Sequence, residues 1–392
     1  MVRNTNVRKL AVVLTASTLL LAGCSSSSDD AAGSAYAGPL KDTPGTINVL
    51  AWPGYAEDGT TDPAVDWVTP FEKETGCQVN VKTYGTSDEA VQLMQAGGYD
   101  VISASGDASL RLIYGGDLQP VNLDLIPNYA DIFDNLKDRP WNTVDGKNYG
   151  VPHGRGANVL QYTLGKVKEP KSWSIVWEPN SPAKGKITAY DSAIYIADAA
   201  VYLMSTKPEL GIKDPYALDQ TQFDAAMALL KQQKPLVAEY WGDYTKYIGA
   251  VEAGSIVAGT SWQVIANVLN GKKATVGATK PKEGATGWSD TWMISSKTEA
   301  IDCAYKWLNH IITPNVNAQA AEYFGEAPAN SKACALTANK DHCKLYHAEE
   351  TDYWSDVYYW KTPTEKCLDG REDVKCLPYA EWVKAWSSFR NS

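Results

Sequence analysis

Ile47-Asn48-Val49-Leu50-Ala51-Trp52-Pro53-Gly54 is the stretch on which the fold turns. Its first six residues are mostly apolar and read as a buried β-strand, which Pro53-Gly54 stops. Working outward, the spacing of Val65, Val68 and Phe71 predicts a helix over residues 63–75, with Gly76 just past its end. Residues 79–84 alternate as a second strand. Thr86-Ser87-Asp88-Glu89 has the form of a capping box and opens a helix with Val91, Leu93 and Met94 inward, closed by Gly97-Gly98. A third strand follows over residues 100–103. Strands and helices alternating at this pace imply parallel strands joined by crossovers, an α/β lobe.

From Lys137 the pattern changes. Trp141, Tyr149, Val151-Pro152 and Gly154-Arg155-Gly156 read as short extended pieces, as expected where a chain passes from one lobe to another. A second α/β set is expected next, with strands over 185–189, 236–239 and 256–259 and helices over 192–204, 222–231 and 244–252. A strand over 288–295 and a helix over 300–312 would return to the first lobe. The tail from residue 333 is rich in Cys, Trp and Tyr, and from Tyr379 it reads as an amphipathic helix. The chain of 392 residues exceeds one comfortable core, which favours two lobes.

At the other end, Leu21-Ala22-Gly23-Cys24 follows a basic start (Arg3, Arg8, Lys9) and an apolar run too short to span a bilayer. It resembles a bacterial lipobox. Residues 1–23 are then a lipoprotein signal peptide and Cys24 the acylated first residue of the mature chain, held to the membrane by its lipid. The competing reading is an ordinary secretory signal with an incidental Cys. Residues 24–45, rich in Ser, Gly, Ala and Asp, read as a flexible tether. Without the leader the chain has 33 basic and 46 acidic residues, a net charge near −13, which makes nucleic acid an improbable partner.

Assigning Cys24 to lipid leaves Cys77, Cys303, Cys334, Cys343, Cys367 and Cys376, an even number suited to disulfides outside the cytoplasm. Six cysteines allow 15 pairings. Cys334 is close in the chain to Cys343 and Cys367 to Cys376, which would leave Cys77 for Cys303. His342 and His347 beside Cys343 raise a zinc site as the alternative, although the CxxC pairs such a site favours are missing.

Residues for catalysis are scarce. Only four His occur, and no G-x-S-x-G, H-E-x-x-H, dinucleotide fingerprint or phosphate-binding loop is present. No cofactor, metal or catalytic residue is expected, and the chain reads as a binding protein rather than an enzyme. Its unusual feature is aromatic: 14 Trp and 22 Tyr against 5 Phe. Indole faces attract cations by roughly 0.5 to 2 kcal/mol each. Most such rings pack cores, so position must select the functional ones. Trp52, Tyr55, Asp191 and Trp262 follow strand ends, where open α/β sheets bind ligands, and Trp288 with Asp290 lies beside the second crossing. Ser105, Asp107 and Trp241 are further candidates.

In its order of short phrases the chain resembles the extracellular solute-binding proteins of ABC importers, within them the spermidine/putrescine-binding branch. The phrases are residues 47–52 with Tyr55, Phe71-Glu72-Lys73-Glu74-Thr75-Gly76, Tyr99-Asp100-Val101, Gly115-Gly116-Asp117-Leu118-Gln119-Pro120, Tyr149-Gly150-Val151-Pro152, Ser172-Trp173 with Trp177, and Gly287-Trp288-Ser289-Asp290. The resemblance implies a two-lobed clamp of the periplasmic-binding-protein type II kind with hinge crossovers. Lobe 1 would comprise residues 46–153 and 286–330, lobe 2 residues 154–285, and residues 331–392 would pack on lobe 2. Trp52, Tyr55, Trp262 and Trp288 match ring positions and Asp191 and Asp290 carboxylates, while Gly54 and Ile194 stand where the branch has acids. Glu326 falls near a tyrosine position. The implied function is capture of a putrescine- or spermidine-like amine and its delivery to a membrane permease, by an exported, lipid-anchored monomer on the cell membrane or in the periplasm. Arg155 stands where relatives have an aromatic; it would either clamp a carboxylate, making the ligand a zwitterionic amino compound, or brace the hinge. A secreted lipoprotein hydrolase on the same scaffold is the reading from another class.

Overall fold

The computed structural model describes residues 33–392 apart from residue 272, so the expected signal peptide, Cys24 and the first part of the expected tether lie outside the described residues. Strand β1 (Gly45–Ala51) forms where the apolar run predicts it and pairs in parallel with β2 (Cys77–Thr83) and β3 (Val101–Ala104). Helix α1 occupies Val68–Thr75, shorter than the periodicity suggests. Asp66 Oδ1 accepts from the backbone N–H of Thr69 at 2.9 Å, and a bridge between Asp58 and Asp66 holds the preceding residues as a turn. Gly76 ends α1 in the left-handed region at φ 71°. Helix α2 (Ser87–Ala96) is capped by Thr86, whose hydroxyl accepts from Glu89 N–H at 3.2 Å, and the Glu89 carboxylate accepts from Gly85 N–H at 2.8 Å. Helix α3 (Gly106–Tyr114) starts directly after β3.

A short hairpin, β4 (Thr143–Val144) and β5 (Lys147–Asn148), leads into β6 (Gly150–Ala157), the strand that carries the chain to the second lobe. That lobe contains β7 (Val159–Thr163), α4 (Ser174–Trp177), β8 (Ile187–Tyr190), α5 (Ile196–Thr206) and α6 (Gln220–Gln233). It continues with β9 (Val237–Trp241), α7 (Tyr244–Glu252), β10 (Ala258–Ser261), α8 (Gln263–Leu269) and β11 (Val276–Thr279). Strand β12 (Ala285–Ile294) returns, followed by α9 (Ile301–Ile311), α10 (Pro314–Phe324), β13 (Ala327–Pro328), α11 (His342–Leu345), β14 (Val357–Tyr359) and α12 (Tyr379–Asn391).

Two main sheets result. The first has the order β13-β6-β12-β3-β1-β2, with β14 also on β12; the second has the order β11-β7-β10-β8-β9. Each mixes a parallel core with antiparallel returns, and each has its own buried apolar cluster. The chain crosses at Asn158, one strand end later than the Gly154 boundary read from sequence. Asn158 N–H donates to the Thr286 carbonyl at 2.8 Å and its amide to Thr286 Oγ1 at 2.7 Å, which ties the outgoing crossing to the returning one. A third crossing follows β14: Trp360 N–H donates to Gly287 and Leu377 N–H to Leu218.

The tail divides where the sequence reading put it all on lobe 2. Tyr346, Ala348, Trp354 and Val357 pack with Ala157 and Ala327 beside the first sheet. Only the end does as expected: Tyr379, Trp382, Trp386 and Phe389 of α12 enter the second lobe's core. The last part of the tether is also seated, because Tyr36 and Leu40 pack on the first core and Lys41 N–H donates to Asp302 at 2.9 Å.

Three disulfides join Cys77 to Cys303, Cys334 to Cys343 and Cys367 to Cys376. Cys343 is thereby no zinc thiolate, and His342 Nε2 bonds the Glu326 carbonyl at 2.8 Å instead. The Cys77–Cys303 bridge spans 226 residues and the other two 9 each. Chain entropy therefore assigns about 5 kcal/mol to the first and about 3 kcal/mol to each of the others. Replacing Cys77 and Cys303 together by Ala should lower the Tm measured by calorimetry more than the same change at Cys334 and Cys343; equal losses would contradict this ranking.

Candidate functional site

The acidic end of the site is built on β12. Asp290 pairs with Gly154 of β6 and Trp288 with Gly156, while Ser289 pairs with Arg155. Because successive side chains of a strand alternate, Trp288 and Asp290 share one face and Arg155 takes the other. The two glycines are required by space. A Cβ at Gly154 would stand 2.4 Å from Cδ of Glu326, and one at Gly156 2.3 Å from Cζ2 of Trp288. Glu326 reaches this position because Gly325 ends α10 in the left-handed region at φ 84°.

Tyr55, in the loop after β1, joins the two acids. Its hydroxyl lies 2.8 Å from Asp290 Oδ2 and 3.0 Å from Glu326 Oε2, and Ser105 donates to Asp290 Oδ1. A phenol carries one hydrogen, so Tyr55 donates to one carboxylate and accepts from the other, which must then carry a proton. Burial pushes Asp290 up to about 7 and holds Glu326 well above the usual carboxylate range, with the neighbouring Asp290 charge adding to the latter. No Lys or Arg contributes to either shift. His153 Nε2 lies 3.3 Å from Glu326 Oε1 without the alignment of a hydrogen bond. Its Nδ1 accepts from Trp292 at 3.0 Å and burial lowers the imidazole to about 3, so this ring is neutral.

Aromatic rings from both lobes cover the acids. A cavity of about 10 Å³ is lined by Trp52, Ser105, Trp262, Trp288, Asp290, Phe324 and Trp360. That is the space of one water, and equally of one ammonium group. Trp262 meets Trp52 edge-on at 5.8 Å, Trp288 meets Phe324 at 5.6 Å, and Trp360 stacks on Tyr190 at 5.8 Å.

The sequence-derived candidates separate into two groups. Trp52, Ser105, Trp262, Trp288 and Asp290 line the cavity, and Tyr55 and Glu326 lie beneath it. The others stand elsewhere. Asp191 is bound by Arg390 of α12 at 3.0 and 3.1 Å and by Trp386 at 3.2 Å. Asp107 is buried in α3, accepts from Ser87, and lies within the field of Arg111; burial raises it to about 6. Trp241 donates to the Thr260 carbonyl and backs Trp262 edge-on at 4.9 Å. Arg155 donates to the Ala348 carbonyl at 2.8 Å and lies 4.3 Å over Trp354, in another hollow of about 510 Å³ that shares only Trp288 with the Asp290 cavity. Sequence reasoning missed Phe324, Trp360 and His153. Phe324 is the last residue of an amphipathic helix and Trp360 one of many tail aromatics, so no local pattern marks them; Val151-Pro152 beside His153 was the only hint.

Two lobes joined by paired strands, with aromatic rings and an acid pair where they meet, have the architecture of a two-lobed clamp. The chain belongs to the bacterial extracellular solute-binding proteins, whose family model matches residues 66–343. It is 25% identical over 324 residues to the putrescine-binding periplasmic protein SpuD of Pseudomonas aeruginosa, covering 78% of this chain and 84% of that one. It is 24% identical over 309 residues to the putrescine-binding periplasmic protein PotF of Escherichia coli, covering 75% and 80%. Its fold is similar to that of the spermidine/putrescine substrate-binding protein PotD of Streptococcus pneumoniae, with TM-score 0.68, 19% identity, and coverage of 88% and 99%. The resemblance read from the sequence is thus confirmed, and the hydrolase reading is replaced: these are transport proteins, not enzymes.

Because Asp290 is raised in the folded state, folding holds a proton that the unfolded chain releases near pH 4. Its contribution to stability is present at low pH and is lost as pH rises from about 4 through about 7. Thermal melts should show this fall, and Asp290→Asn should flatten it; an unchanged slope would rule out Asp290 as its source.

Proposed function

We propose that this chain is the lipid-anchored substrate-binding component of an ABC importer, tethered through Cys24. It would capture a small cationic amine of the putrescine class between its lobes and hand it to a membrane permease. The observation that carries this reading is the pair Asp290 and Glu326, buried with no basic partner under indole rings. A buried carboxylate without a cation is costly, and an ammonium group supplies what is missing. The indole faces add cation–π attraction and cover the ligand's methylene groups. The named ligands of SpuD and PotF belong to the same chemical class. None of the described helices is long and apolar enough to cross a membrane. The zwitterion reading depended on Arg155, which points away from Asp290 and is occupied by Ala348 and Trp354.

Putrescine at 100 times its Kd should stabilise the protein by about 2.7 kcal/mol in a thermal melt, with no product formed. Asp290→Asn should weaken binding by about 30-fold or more, since it removes one partner of a buried charge pair, and Trp288→Ala should weaken it as well. Unchanged affinity in both variants by titration calorimetry would place the ligand elsewhere.

A further inference from the structure

The cavity at Asp290 shares three of its walls with a second, larger hollow. This outer space, about 290 Å³, is lined by Trp52, Trp262 and Phe324, the same three rings that close the inner cavity, and by Glu57, Tyr244 and Tyr323. Glu57 is half-buried. Its backbone carbonyl accepts from Trp67 N–H at 3.1 Å and Val68 N–H at 3.2 Å, which fixes the residue at the start of α1. Its carboxylate accepts only from Gly54 N–H at 3.1 Å and from the Thr61 side chain, and no basic group contributes to its titration, which burial raises.

Two other acids near the cleft have basic partners: Asp191 holds Arg390 and Asp88 holds Arg111. Asp107, within the field of Arg111, accepts from Ser87 and lines neither hollow. Asp290 at the inner end, with Glu326 beneath it, and Glu57 at the outer end have no Lys or Arg among the groups that shift them. Between them stand indole and phenyl rings, surfaces suited to methylene groups.

Resting on the amine-binding reading above, we propose that Glu57 is the second ammonium site, so that the ligand is a linear diamine lying across Trp52 and Trp262 from Asp290 to Glu57. The inner cavity admits one ammonium group, the rings flank the carbon chain, and the roomier outer hollow takes the far nitrogen, with the Tyr244 and Tyr323 hydroxyls as further acceptors. An outer pocket of this kind also tolerates a longer chain past Glu57, whereas the inner end does not.

The test compares putrescine with butylamine, which has the same carbon chain and one charge, on the full-length protein by titration calorimetry. Glu57→Gln should weaken putrescine by about fivefold or more, the scale of a partly exposed ion pair, and leave butylamine unchanged. Asp290→Asn should weaken both. Equal response of the two amines to Glu57→Gln, or no response, would overturn the role of Glu57 while leaving the amine reading intact. If neither amine binds the unaltered protein, the proposed function itself falls and the Glu57 site with it.

Discussion

The antiparallel pairing of β6 with β12 is the constraint from which the rest follows. These two strands are neighbours in the first sheet and also the outgoing and returning crossings between lobes. The Asn158–Thr286 hydrogen bonds lock them together where the sheet ends. Any opening of the lobes must turn about this joint and the third crossing after β14. Because Trp288 and Asp290 sit on β12 itself, the solute would bind against the hinge, and closing over it would couple occupancy to lobe position.

The same pairing sets the electrostatics. Gly154 and Gly156 remove the side chains that would otherwise fill the space beside Asp290, so Glu326 and Trp288 move in. Two carboxyls then share one phenol beside the neutral His153 ring, with no Lys or Arg contributing, and burial raises both. A carboxyl raised by burial is tolerated in the folded chain because it can keep its proton, which is how two acids stay buried side by side.

Much of this was legible in the chain. The alternation from Ile47 to Ser103 marked the first α/β lobe because strand and helix periodicities are local, and Thr86, Gly76 and Gly97 capped helices for local reasons. The disulfides were legible because two pairs are close neighbours in sequence and one pair remained. Trp52 and Trp262 were singled out by their place after strand ends and Trp288 by its place beside the second crossing, and all three line one cavity. Asp191 satisfied the same rule, yet Arg390, 199 residues away, binds it; nothing near either residue announces that pair. Arg155 lay one residue from two glycines that do face the site, and a strand's alternation turned it to the opposite side.

The sequence by itself determined the class of fold, the family and the aromatic, acidic character of the site, since these rest on periodicity, composition and motifs read over short spans. Only the tertiary structure decided which acids remain without a basic partner. Charge compensation depends on distances between residues remote in the chain. Arg390 neutralises Asp191 and Arg111 faces Asp107, while Tyr55 brings Asp290 and Glu326 together with no cation beside them. Those are the contacts that separate an acid holding the protein together from an acid able to hold a solute.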